Sequence, residues 1–293
     1  MFMRRILMIL SVCSSIVLFS CQKEADFTNG DNGNGNGGGG GNSNGDLLVK
    51  ALEITIATHD TNVITVQWDA SKRLIDYHSK GKVDGIDEET HYAISRLADG
   101  KITKIKQTSA LTAGLVDSVV YVVHYVPGTS KLAYDIATQY TFIGELTDSV
   151  VFTYDASGAV TSQEDFSDVF GVIAPSSKMQ FLYDANGNVT TIKSYSANGS
   201  GGYDPVSTDT YTYGPHKSPY TLGEEAFVAI GAPSVSKNDP TGAHIAAIND
   251  PTHVYDIAYD QQQYNSFDRP VSGVFHVMPQ PPGYDVKVLY YYQ

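Results

Sequence analysis

The side chains that could do chemistry are eight histidines, two cysteines and 32 aspartates and glutamates spread over 293 residues. His59, His78, His91, His124, His216, His244, His253 and His276 show no His-Glu-x-x-His or His-x-x-x-His spacing. Such a spacing is what places two imidazoles on one helix face toward zinc, so no metal site is expected. No Gly-x-Ser-x-Gly occurs, and Ser200 lies in Asn198-Gly199-Ser200-Gly201-Gly202 without a strand-to-helix elbow to expose it as a nucleophile. The glycine runs lack the Gly-Lys-Ser/Thr ending of a phosphate loop. Asp87-Glu88-Glu89, Glu164-Asp165 and Glu224-Glu225 are adjacent in sequence. The two carboxylates of a glycosidase lie roughly 5 to 9 Å apart across a cleft and come from different elements, so these read as solvated turn charges. No catalytic residue and no cofactor is expected from the sequence, and any enzyme activity would need residues that converge only in the fold.

The cysteines are more informative. Arg4 and Arg5 precede an apolar run, Ile6 to Phe19, that ends in Leu18-Phe19-Ser20-Cys21. The run is shorter than the roughly 20 residues that a spanning helix needs, so residues 1–20 read as a cleaved secretory signal. Leucine three before a cysteine, with Ser20 between them at the cut, resembles the lipobox read by signal peptidase II. The resemblance implies cleavage between Ser20 and Cys21, with diacylglycerol and further acyl chains carried on Cys21. Cys13 leaves with the leader, so no disulfide is expected and the body must hold by burial and hydrogen bonds. Each buried methylene contributes about 0.8 kcal/mol, so several acyl chains hold a protein firmly on a membrane. Gln22-Lys23-Glu24-Ala25-Asp26 is similar to an export signal that carries some lipoproteins of Gram-negative bacteria to the outer leaflet. The expected location is the outer membrane, facing the surface, with a periplasm-facing position as the alternative.

Residues 21–46 read as the lipidated cysteine and a linker. Asn29 to Gly45 contains Gly, Asn, Ser and a single Asp, a composition unable to bury apolar area. A Gly-rich coil from Gln22 to Asp46 has an r.m.s. span of roughly 25 to 30 Å, enough to clear lipid headgroups. Asp31-Asn32-Gly33-Asn34-Gly35 puts glycines where a calcium loop needs oxygen ligands. The chain carries a net charge of −13, which excludes nucleic acid as an expected partner and leaves membrane contact to the lipid.

Residues 47–293 read as a single β-rich domain, because β-branched and aromatic residues alternate with polar ones between Gly, Asn and Asp. Thirteen strands are expected, among them Val63–Trp68, Leu74–His78, Ile102–Gln107, Val150–Tyr154, Val189–Tyr195 and Asp285–Tyr292. A short unit recurs: Phe152-Thr153-Tyr154-Asp155-Ala156-Ser157-Gly158 and Phe181-Leu182-Tyr183-Asp184-Ala185-Asn186-Gly187. Degenerate copies read at Trp68-Asp69, Leu97-Ala98-Asp99-Gly100 and Tyr259-Asp260. It is turn grammar: an aromatic ends a strand, Asp155 or Asp184 accepts amides ahead of it, and Gly158 or Gly187 takes positive φ. Asp184, Asn186 and Asn188 lack the bidentate carboxylate that calcium would require. The Tyr-Asp-x-x-Gly unit resembles the YD-repeat class and its shorter relatives among uncharacterised Gram-negative lipoproteins. Ser236-Lys237-Asn238-Asp239-Pro240 and Tyr290-Tyr291-Tyr292 add to the likeness. The spacing of the unit reads as irregular, interrupted at Pro215–Pro219 and Pro279–Pro282. Thr221-Leu222-Gly223-Glu224 has capping-box spacing and predicts a short helix, and Val235 to Pro251 reads as an extended connection.

The expected fold is thus all-β, an antiparallel meander curling into a sandwich or open barrel with one or two short helices at most. The expected function is a non-catalytic envelope lipoprotein that binds a glycan or protein ligand, of a kind the sequence does not name, through an aromatic face or a pocket. A hydrolase of envelope or environmental polymers is the alternative, and a structural spacer a third.

Overall fold

Alternation, interrupted by a bulge where a strand meets the turn end, decides where each wall of this protein lies. In β1 (Leu48–Thr55) the buried positions include Leu48, Ala51, Glu53 and Thr55, and in β2 (Thr61–Trp68) they include Asn62, Ile64 and Val66. Successive side chains in a strand point to opposite faces, so one face of every strand turns inward. The computed structural model describes residues 45–83, 86–110, 116–142, 144–169, 171–220, 236–248, 254–278 and 285–293. After β1 and β2 come β3 (Leu74–Val83), β4 (Ile86–Arg96), β5 (Ile102–Ser109), β6 (Val116–Tyr125), β7 (Leu132–Thr141) and β8 (Gly144–Tyr154). The second half holds β9 (Val160–Val169), β10 (Val172–Tyr183), β11 (Val189–Ala197), β12 (Tyr203–Lys217), β13 (Asn238–Ala247), β14 (Val254–Tyr264), β15 (Pro270–Met278) and β16 (Asp285–Tyr292).

Each strand pairs antiparallel with its neighbours in chain order, and β16 pairs with β1 from Leu48–Tyr292 to Thr55–Val286. The meander therefore closes completely into a barrel, which removes both sheet edges. Three of its strands, β7, β9 and β13, were not expected from the sequence. Val235–Pro251, read as an extended connection, contains β13, and Ile257-Ala258-Tyr259-Asp260, read as a turn, lies inside β14. The short helix expected after Thr221 falls outside the described residues.

One end of the barrel carries the Asp and Asn turns of the repeat and both ends of the folded chain; it is called the turn end. Asp184 Oδ1 accepts the amides of Asn186 and Asn188, each at 2.9 Å, and Gly187 has φ of 86°. Asp155 Oδ1 accepts Ser157 N at 2.8 Å and Ala159 N at 3.0 Å, with Gly158 at φ 94°. Asp69, and Asn265 in a copy that the sequence reading passed over, do the same with Arg73 N and Arg269 N. The bonds to ionised oxygen hold the Asp155 and Asp184 carboxyls below their ordinary range.

The aromatic of the repeat has a second task. It reaches across to the backbone where the previous hairpin's return strand begins: Tyr183 Oη donates to Val160 O at 2.9 Å and Tyr213 Oη to Val189 O at 2.7 Å. Tyr292 donates to Pro270 O, Trp68 Nε1 donates to Leu48 O, and Tyr125 Oη accepts Ile102 N. Arg96 takes the same place, its guanidinium donating to Leu74 O. These bridging residues fall at Trp68, Arg96, Tyr125, Tyr183 and Tyr213, with Tyr154 at the corresponding strand end of β8. The unit is thus a regular hairpin of about 29 residues, lengthened once between β12 and β13, and not the irregular repeat expected.

A candidate ligand chamber in the barrel interior

At the turn end the interior is dry. Every return strand from β3 to β11 opens on a buried Leu, Ile or Val: Leu74, Ile102, Leu132, Val160 and Val189. Phe152, Phe181, Ile192, Phe275 and Tyr290 join them in one apolar cluster. Tyr220, from the loop after β12, packs on that cluster and meets the Tyr290 ring edge-on with centroids 6.0 Å apart. The dry region continues along the β1–β16 seam, where Val286 and Val288 are fully buried. A polar chain crosses it: Asn62 Nδ2 donates to Glu53 Oε2 at 2.9 Å, and Ser79 Oγ donates to Asn62 Oδ1 at 3.1 Å. Burial pushes the Glu53 carboxyl up to about 8.

Toward the other end, between β5 and β12, the inner wall changes character. Register places Asp135 of β7, Val150 of β8 and Asp165 of β9 side by side, with Asp148 on the same face. Around them stand Gln107, Gln139, Gln163, Ser167 and Ser177. Gln139 Nε2 donates to Asp148 Oδ2 at 2.8 Å, Gln163 Nε2 to Asp165 Oδ1 at 3.1 Å, and Ser177 Oγ donates to Asp165 Oδ2. Tyr121 closes the row, its hydroxyl donating to Gln107 Oε1 at 2.7 Å. Asp148, Gln163, Asp165, Ser167 and Ser177 are half-buried, so neighbouring side chains leave this part of the inner wall incompletely covered. Asp135 lies deeper at 1% exposure, and its Oδ1 has no hydrogen-bond partner among the described residues. Further round the wall, the buried Ser194 Oγ lacks a partner among the described residues as well, while Ser207 and Asp209 lean on each other.

A buried polar atom without a partner costs about 1 to 3 kcal/mol, and more when it is charged. The carboxyls respond by holding protons: burial, helped by the Asp165 charge, pushes Asp135 up to about 7, and burial raises Asp165 and lifts Asp209 to about 6. Among the described residues no Lys, Arg or His shares the inner face of β5–β10. Lys104, Lys106, His124 and Lys178 fall on outward positions between inward ones. The arrangement can accept hydrogen bonds from hydroxyl or ammonium donors, and it can exchange protons with them.

The outer wall shows the opposite pattern. His78 Nε2 lies 2.8 Å from Glu89 Oε1, His91 Nε2 2.6 Å from Asp76 Oδ2, and His244 Nδ1 2.7 Å from Asp256 Oδ1. His276 sits between Asp260 and Asp285, which raise its pKa. These charges occupy strand interiors, where a membrane-spanning barrel carries an apolar band about 25 Å tall.

The structure thereby corrects two readings from sequence. Glu164-Asp165 lies in β9 and not in a turn: Glu164 points outward to Lys178, and Asp165 inward. Asp87, Glu88 and Glu89 lie in β4, with Glu89 held by Lys80 and His78. Asp155, Gly158, Asp184 and Gly187 stand at the turn end, away from the chamber, and Ser20 and Cys21 fall outside the described residues. Tyr290 and Tyr292 face inward and Tyr291 outward, where Lys50 covers its ring. Asp135, Asp148 and Asp209 were passed over because each stands alone in sequence; the signal was an acid at a position that alternation assigns to the core.

Comparison with solved structures finds a porin-like protein from Bacteroides uniformis, 11% identical with a TM-score of 0.51, covering 86% of this chain and 99% of that one. A porin-like protein from Bacteroides vulgatus is 12% identical with a TM-score of 0.49, covering 85% of this chain and 99% of that one. At such identity the first likeness is one of fold. No family model and no curated protein matches the chain.

Proposed function

We propose that this chain is a non-catalytic lipoprotein of the cell envelope, anchored through Cys21, whose barrel takes a small ligand into the wet part of its interior. One observation carries the reading: the barrel is sealed and apolar at its turn end and incompletely covered, acidic and short of hydrogen-bond partners in the far half of β7–β10. A spacer has no use for that difference, since every inward acid costs stability that an apolar residue would supply.

The anchor and the chamber suit each other in direction. Leu47 and Gln293 exchange backbone hydrogen bonds at the turn end, and Arg269 Nε donates to Asp46 Oδ1 at 2.8 Å. The tether therefore leaves from the sealed end, and the wet half faces away from the membrane that holds the lipid. The charged outer wall supports a body that stands in water beside the membrane, unlike a barrel that spans it.

Binding of glycans and envelope fractions to the chain from Gln22 onward tests the reading. A saturable ligand, competed by substitution of Asp148, is the expected result. Turnover of a polymer at the same carboxylates would favour the hydrolase, and no binding to either would favour the spacer. Mass spectrometry of the native protein, with Cys21 found acylated and first in the chain, tests the anchor.

A further inference from the structure

The far rim of the barrel is apolar above the acidic wall. Phe142 at the β7–β8 hairpin is 70% exposed, and Val172 and Ile173 at the β9–β10 hairpin are 65% and 72% exposed. These two hairpins continue the same strands that carry Asp135, Asp148 and Asp165. Exposed apolar side chains of this size at neighbouring tips are an unusual use of surface unless something covers them.

Resting on the reading of the interior as a ligand chamber, we propose that its ligand is an organic cation with an apolar body. The ammonium group lies among Asp135, Asp148 and Asp165, and the apolar body lies toward Phe142 and Val172, the latter on the inward face with Ala174 and Ser167. Three inward carboxylates with no inward cation among the described residues of β5–β10 make a wall of one sign, which favours a positive guest and repels an anion. The partnerless Asp135 Oδ1 supplies an acceptor, and Ser194 Oγ on β11 supplies another. A polyol would satisfy the oxygens and leave the rim uncovered. An ammonium with an apolar body answers both. Because burial raises Asp135 and Asp165, a cation would also displace protons as it bound, so affinity rises with pH from 5 to 8.

Isothermal titration of the chain from Gln22 to Gln293 with phenethylammonium, 2-phenylethanol, phenylacetate, ethanolammonium and maltotriose separates the possibilities. The barrel closes through its own β1–β16 seam, so residues 22–293 include every strand of the closed barrel. The expected result is saturable 1:1 binding of phenethylammonium, at least tenfold tighter than ethanolammonium or 2-phenylethanol, with no binding of phenylacetate. Affinity should fall at least tenfold in Asp148→Asn and in Phe142→Ser with Val172→Ser, and should survive in Glu53→Gln. Asp148 is half-buried and the rim residues are exposed, so these variants keep the fold, as thermal melts would verify. Equal binding of 2-phenylethanol, indifference to Asp148→Asn, or no binding of either cation would overturn the inference. Saturable binding of maltotriose without any cation would overturn it too, while leaving the chamber as a ligand site.

Discussion

Leu132 and Asp135 stand three residues apart on β7, both buried and both facing inward, yet one belongs to the sealed turn end and the other to the wet half of the barrel. The repeat makes the contrast sharper. Three residues after the strand opens, β3, β5 and β11 place Tyr77, Ile105 and Ile192, whereas β7 and β9 place Asp135 and Gln163. The backbone plan is the same in every hairpin, so the chamber is a matter of side chains substituted into slots that elsewhere build the core. The comparison teaches that the fold is specified redundantly by turns and strand openings, which leaves later inward positions free to carry another chemistry.

The largest expected effect falls on the dry side. Phe181→Ala removes a buried ring from the central cluster and should cost about 3 to 5 kcal/mol in denaturant unfolding. Asp148→Ala, in the wet half, should change stability by roughly 1 kcal/mol or less. Equal losses would erase the distinction between the two regions.

The pH dependence of stability comes next. Burial holds Glu53 up to about 8 and Asp135 up to about 7, both above their unfolded values. The folded chain therefore keeps protons at these two carboxyls that the unfolded chain releases, and their contribution to stability is full below pH 4 and falls as pH rises through 5 to 8. Glu53→Gln should flatten much of that fall, a difference on the order of a few kcal/mol at pH 8, read as a higher melting temperature than the parent at that pH. His276 works in the same direction, because its raised pKa gives stability below about 6.5 that is lost above.

A smaller effect distinguishes the two ends. Asp184→Ala frees amides that its carboxylate accepts and also releases Asn188 Nδ2, so it should cost about 1 to 2 kcal/mol. Asn198→Ala, in a more exposed turn at the far end, should cost about half as much.

The same division explains what the sequence made legible. Tyr-Asp-x-x-Gly turns and the buried Val160 and Val189 after them announce themselves through local chemistry, so the meander and its antiparallel order could be read directly. The strands that could not be read are β7, β9 and β13. Each places an acid where alternation wants an apolar residue: Asp135, Asp165 and Asp239, all inward or buried. Asp239 keeps its place because Tyr264 Oη and Gln262 Nε2 donate to it at 2.8 and 2.6 Å. Closure of the barrel was illegible for another reason: the β1–β16 pairing joins residues at opposite ends of the chain, and no local signal encodes it. The candidate site was hidden by its own composition, since polar inward residues are what breaks the strand pattern.

The claim that the barrel interior is divided into a sealed end and an open one can be tested by single cysteines. The chain from Gln22 onward has no cysteine, so Ser167→Cys and Val66→Cys each supply one inward thiol, the first in the wet half and the second in the dry cluster. Reaction with a cationic methanethiosulfonate reagent under native conditions should label Ser167→Cys at least 100-fold faster than Val66→Cys. Equal protection of both thiols would mean that the interior is dry throughout, and the chamber would be gone.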